Sequence, residues 1–198
     1  GQMVLDTRRR HDETGHRADD SQKKDGENIP LTEGKVAMHI ILLCGGAGKR
    51  LWPLSGDTRS KLFLQLLPDG QGGRCSMLQR MWRQLQRTGL ADFACLAAVR
   101  DQEPLIRCQL GEGLPVIVEP ERRDTFPSVA LSAAYLHSVR GAGREDVVCI
   151  MPADTYTEDA FFGLVRALEQ ALAASGAELA LIGVKPAFPS GEYGYLVP

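Results

Sequence analysis

From residue 38 onward, short apolar runs alternate with longer amphipathic segments, and most of the changes are marked by a glycine or a capping residue. His39–Cys44 is an apolar run closed by glycines and reads as a buried strand. Ser76–Leu90 follows as a helix, with Met77, Leu78, Met81, Trp82 and Leu85 on one face and Gly89 near its end. Phe93–Val99 reads as a strand, Gln102–Leu110 as a short helix stopped by Gly111, and Val116–Val118 as a third strand. Pro127–Val139 reads as a helix capped by Asp124 or Thr125 and ended by Gly141. Val147–Met151 is a fourth strand, Ala160–Ala174 a helix and Leu179–Val184 a fifth strand, and Tyr195–Val197 opens a sixth. Strands that alternate with helices in this way form a mostly parallel sheet with helices on both faces, a three-layer α/β sandwich. In such sheets ligands sit beyond the carboxyl ends of the strands. No internal repeat is visible.

Residues 1–37 differ in kind. They hold 7 basic and 8 acidic residues, no aromatic residue and only five Val, Ile or Leu. So little apolar surface cannot offset the entropy of ordering, and a disordered tail or a non-native extension is expected, with 38–198 as the folded domain. Met38, directly before the first strand, is the expected start of translation. Arg8-Arg9-Arg10 resembles a nucleic-acid arm, but the acids that follow cancel it. The whole chain has a formal net charge of −2, which gives no reason to expect nucleic acid or an anionic membrane as partner. No apolar run approaches the ~18 residues of a membrane helix, and the charged N-terminus is not a secretory signal. Five scattered cysteines without a C-x-x-C pair argue against a disulfide framework or structural zinc, so a cytoplasmic location is expected. The expected partners are the substrates, with a homo-oligomer left open.

The first strand runs into Gly45-Gly46-Ala47-Gly48-Lys49-Arg50-Leu51-Trp52-Pro53-Leu54-Ser55. Glycines let successive backbone N–H groups converge on one point, and such a nest binds phosphate oxygens. Lys49, Arg50 and Lys61 bring positive charge to the same region. A tight turn with surface basic residues is the plainer reading. Leu43 and Arg50 stand where a Walker A loop needs glycine and Ser or Thr. Leu51 replaces the third glycine of the dinucleotide fingerprint, and no acidic residue ends a strand about 20 residues on, so NAD binding is a weak alternative.

The stretch Gly45–Ser55, followed by Arg59-Ser60-Lys61-Leu62-Phe63, resembles the signature of the sugar-1-phosphate nucleotidyltransferases. Its Trp52-Pro53-Leu54-Ser55 form is similar to the mannose-1-phosphate guanylyltransferase branch. Three further segments occur in the family's order: Glu119-Pro120-x-x-Arg123-Asp124-Thr125-x-Pro127, Pro152-Ala153-Asp154 and Tyr193-Gly194-Tyr195. The resemblance covers Met38–Pro198. It implies a Rossmann-like fold and Mg²⁺-dependent transfer of a nucleotidyl group from GTP to mannose-1-phosphate, giving GDP-mannose and pyrophosphate, as in polysaccharide biosynthesis.

On that resemblance Gly45, Gly46 and Gly48 cradle the triphosphate, and Arg50 holds its β- and γ-phosphates with a planar fork suited to oxygens. Lys61 stabilises charge near the α-phosphate and the incoming sugar phosphate, which makes Arg50 and Lys61 the catalytic pair. Glu119 can accept from the N1–H and N2–H₂ of guanine, a donor pair that adenine lacks, and the loop with Arg123 and Thr125 closes around the nucleotide. Asp124 and Thr125 are equally an ordinary helix start. Asp154 is placed to hold Mg²⁺, a hard ion that prefers oxygen, with helix capping as its plainer role. Tyr193 and Gly194 approach the sugar phosphate, against the plainer reading of a packed strand edge. His39 and His137 have no evident partners and read as structural. The family pattern continues beyond this chain with an F-x-E-K-P segment, an Asn-Gly segment and a second metal-binding Asp, so a fragment of a longer enzyme is expected. Two other readings stand: the same chemistry with another nucleotide or sugar-1-phosphate, and a non-catalytic nucleotide-binding module of the same fold.

Overall fold

The computed structural model describes residues 2–6, 38–46, 53–56, 60–191 and 194–196. They fall into two compact units, Val36–Val165 and, separately, Gly1–Lys35 with Arg166–Pro198. In chain order the strands are β1 (Gln2–Asp6), β2 (Met38–Leu43), β3 (Leu67–Pro68), β4 (Arg74–Cys75), β5 (Ala94–Val99), β6 (Val116–Glu119), β7 (Val147–Pro152) and β8 (Leu179–Gly183). The helices are α1 (Met77–Arg87), α2 (Glu103–Leu110), α3 (Thr125–Arg140) and α4 (Ala160–Ser175), the last beginning in the first unit and running into the second.

The first unit is built on a four-stranded parallel sheet in the order β6-β5-β2-β7. The chain steps from β2 to β5 to β6 in one direction, then jumps back across the sheet to β7. Right-handed crossovers therefore put α1 and α2 on one face and α3 on the other. Alternation along the strands agrees: Ile41, Cys95, Ala97 and Ile117 share one face and form a core with Leu136 of α3 and Ala142. Ile40, Leu42 and Leu96, out of phase with them, are fully buried on the other face.

Local chemistry sets the helix ends. Ser76 Oγ accepts from Gln79 N at 3.1 Å and Gln79 Oε1 accepts from Ser76 N at 3.0 Å, a complete capping box for α1. α3 stops at Gly141, whose φ of 70° lies in the left-handed region, and the next amide, Ala142 N, donates back to Leu136 O at 2.9 Å. His39 and His137 both have partners: His39 Nε2 meets Asp146 Oδ2 at 3.3 Å and His137 Nδ1 meets Ala142 O at 3.0 Å.

Four strands and four helices fall where the sequence puts them. The fifth strand does not join the parallel sheet. β8 pairs antiparallel with β1, from Gln2 opposite Gly183 to Asp6 opposite Leu179. Met3, Val4 and Leu5 form an apolar run that the charged composition of the first 37 residues hides. The expected sixth strand at Tyr195–Val197 is absent among the described residues; Tyr195 Oη instead accepts from Ser190 N at 2.7 Å and donates to Ser190 O at 3.0 Å. Val197 lies outside the described residues.

Candidate active site

The strand order reverses direction between β2 and β7, and in open α/β sheets that switch point, at the carboxyl ends, is where ligands bind. Two hydrogen bonds extend the sheet just past β2 there. Cys44 N donates to Ala97 O at 2.8 Å, and Ala153 N donates to Leu43 O at 3.0 Å. Gly45 and Gly46 leave β2 between its neighbours. An added Cβ at Gly45 would meet only Glu119 Oε1, at 3.6 Å, and one at Gly46 would meet no atom within 4 Å. Neither glycine has a positive φ among the described residues, so neither crowding nor backbone conformation demands glycine at these two places.

Asp154 follows β7. Its Oδ2 lies 2.6 Å from Lys61 Nζ, with 38% and 46% of the two side chains exposed. Lys61 opens a 3₁₀ turn whose Leu62 and Phe63 are buried, and Gln109 Nε2 donates to Phe63 O at 2.9 Å. The ammonium is thus carried on an anchored turn. A cleft of about 140 Å³, lined by Lys61, Leu64, Leu66, Leu67, Met77 and Asp154, adjoins the pair. Below the glycines lies Cys44. Burial pushes its thiol up to about 12, with the charges of Glu119 and Asp154 adding to the effect. Both carboxylates therefore act on one buried point at the carboxyl edge of the sheet.

Glu119 is 6% exposed, and Ser128 Oγ on α3 donates to its Oε1 at 2.7 Å in a buried contact. Ser128 is itself placed by α3, where Ser132 Oγ donates to its carbonyl at 2.7 Å. The loop between β6 and α3 is exposed. Arg123 pairs with Glu121, Nη2 to Oε2 at 2.7 Å. Thr125 N donates to Asp124 Oδ1 at 2.8 Å, the capping role, and Asp124 has φ 68° and ψ −168°. That backbone region is almost confined to glycine, and a non-glycine residue held there stores strain of the kind found at ligand clamps. Gly194 belongs to the second unit, and Gly48, Arg50 and Tyr193 lie outside the described residues.

One constellation was not expected. Arg80, Gln84 and Arg87 of α1 grip residues 156–159, just past Asp154, through the Thr157 carbonyl and the Asp159 carboxylate. Little in the sequence marks it, because Gln84 lies on the stripe of Arg80 and Arg87 beside the apolar face, and only the fold leaves it 1% exposed. A larger cavity of about 450 Å³, lined in part by Trp82, Asp92, Gly113 and Arg140, opens at the amino ends of β5 and β6. Among the described residues no group of three or more His, Cys, Asp or Glu side chains could hold a metal ion, and no helix is long and apolar enough to cross a membrane.

Residues 39–198 match the profile described as nucleotidyl transferase. The chain belongs to the nucleotidyl transferase family. The chain is 32% identical over 161 residues to the xanthan biosynthesis protein XanB of Xanthomonas campestris pv. campestris strain B100, covering 79% of its own length and 32% of the relative's. It is 34% identical to the alginate biosynthesis protein AlgA of Pseudomonas fluorescens, with 79% and 31% covered. It is 30% identical to the mannose-1-phosphate guanylyltransferase RfbM of Salmonella typhimurium, with 79% and 32% covered. Among solved structures, a Thermus thermophilus protein described as a mannose-1-phosphate geranyltransferase superposes with a TM-score of 0.57 at 31% identity, covering 69% of this chain and 38% of that one. The chain thus spans about a third of the length of the curated relatives it matches.

Proposed function

We propose that this chain carries the nucleotide-binding part of an enzyme that transfers a guanylyl group from GTP to mannose-1-phosphate. A phosphate oxygen of the sugar attacks the α-phosphorus, the bond to the bridging oxygen breaks, and pyrophosphate leaves. Such a reaction asks the protein for position and charge neutralisation rather than covalent chemistry. The observation that carries the reading is the Lys61–Asp154 pair, 2.6 Å apart, with Asp154 next to Ala153, whose amide bonds the end of β2 at the topological switch point.

Lys61 is the residue for the α-phosphate and the incoming sugar phosphate, and Arg50 for the β- and γ-phosphates. Gly45 and Gly46, which packing does not require to be glycine, are where backbone approaches the triphosphate. Asp154 suits Mg²⁺, since one half-exposed carboxylate together with substrate phosphates is a normal site for that ion. When bound, the ion neutralises phosphate charge. Asp154 would be the residue to hold the ion, and the ammonium of Lys61 beside it would serve phosphate. Glu119 accepts one bond at Oε1 from Ser128, and its two oxygens keep acceptor capacity for the N1–H and N2–H₂ of guanine. Arg123 and Thr125 close over the nucleotide, and for Tyr193 and Gly194 the sugar-phosphate role rests on the family resemblance alone. We place the reaction in the cytoplasm.

The test is calorimetric titration of the 198-residue chain with GTP, dTTP, UTP, CTP and ATP, each with and without Mg²⁺. Selective binding of GTP, strengthened by Mg²⁺, is expected. Equal binding of all five, or none by a folded chain, would overturn the reading. Arg50→Ala is expected to weaken GTP binding by about 1.5–3 kcal/mol, the range for charged hydrogen bonds.

A further inference from the structure

Asp154 is followed at once by a segment that one side of α1 holds in place. The carbonyl of Thr157 accepts from Arg80 Nη1 at 2.6 Å and from Gln84 Nε2 at 2.9 Å, so both its lone pairs are used. Arg80 Nη1 also donates to Gln84 Oε1 at 2.7 Å, and its guanidinium carbon stands 4.1 Å from the centre of the Tyr156 ring. Gln84 Nε2 and Arg87 both donate to Asp159, the arginine with two bonds of 3.0 and 3.1 Å. Residues 80, 84 and 87 lie on one stripe of α1, four and three positions apart. The Thr157 hydroxyl is buried without a partner, so the segment's own polar groups do not favour this path. The grip from α1 imposes it.

We infer that Arg80 is a positioning residue for Asp154. Only Thr155 separates Asp154 from Tyr156, so the fixed segment restricts the carboxylate to a span of about 7 Å at full extension. Arg80 reaches the segment through a ring face, a carbonyl and the Gln84 amide together, contacts that a lysine cannot reproduce. The inference rests on the assignment of Asp154 as the cation-binding carboxylate.

The test is Mn²⁺ binding by the full chain in the presence of GTP, followed by electron paramagnetic resonance, for the parent, Arg80→Met, Arg80→Lys, Tyr156→Ala and Asp154→Asn. Arg80→Met is expected to raise the half-saturating Mn²⁺ concentration about tenfold while GTP affinity without metal stays at the parent value. Tyr156→Ala, at a side chain that is largely exposed, should shift it in the same direction by less and fold normally. A merely structural arginine would lower the thermal midpoint and leave the Mn²⁺ curve in place, and that result overturns the inference. If Asp154→Asn abolishes the metal-dependent signal while Arg80→Met, Arg80→Lys and Tyr156→Ala all match the parent, the cation site stands and the role of Arg80 falls. If Asp154→Asn keeps the parent curve, the cation assignment itself falls, and the inference with it.

Discussion

Cys44 is a reporter of what the glycine loop sits on. Its thiol is raised from 9.0 to about 12, first by burial and then by Glu119 and Asp154. A folded-state value above the unfolded one means the folded state holds the proton longer. The associated stability is complete below pH 9 and is lost as pH rises toward 12, on the order of 4 kcal/mol at the limit. Alkaline unfolding should therefore begin above pH 9, and Cys44→Ala should remove that component; denaturant titrations across the alkaline range check this. At neutral pH, Ellman's reagent should label exposed Cys108 and spare Cys44 until the protein unfolds. Glu119 gives a second prediction. Ser128→Ala strands a buried carboxylate oxygen and should cost about 1–3 kcal/mol of stability by urea titration. At this scale the sequence was partly legible. The residue types around Glu119 and Asp154 marked chemistry, but that Lys61 reaches Asp154, 93 positions away, follows from strand order and not from spacing.

Helix α1 shows why an element can be read correctly and its task missed. Its amphipathic face and its Ser76 cap are local properties, visible within Ser76–Arg87. Ser76→Ala should cost about 1 kcal/mol through the cap alone, more if the 2.6 Å bond from Ser76 Oγ to Gln109 is counted, and thermal unfolding measures it. Arg80, Gln84 and Arg87 look in sequence like a solvated stripe because their partners lie 70 residues or more further along. The Asp159 carboxyl is held below its usual range, first by Arg87 and then by Gln84. Its contribution is present above pH 3.8 and lost as pH falls through the lowered value; being exposed, it is also weakened by salt. The short β3–β4 ladder, two residues a side, carries too little pattern to be foreseen.

At the scale of the whole chain, β2 lies inside the parallel sheet, between β5 and β7 at the point where the strand order turns back. Its amides should exchange with deuterium most slowly, and slower than those of β6 at the sheet edge, by mass spectrometry or NMR. The four parallel strands were legible because each is a compact apolar run closed by glycine or a charged turn. The place of β8 was not, because pairing of a strand with residues near the other end of the chain leaves no local trace. Deleting residues 1–37 should open the edge of β8 beside exposed Leu179 and Leu181, and light scattering should then report self-association. The Lys61–Asp154 contact also bears on sequence in time. A sugar phosphate arriving first meets a lysine already engaged by a carboxylate. On the proposed assignment a sugar phosphate alone should bind weakly and bind more tightly once nucleotide and Mg²⁺ are present, and calorimetric titration in the two orders of addition checks this.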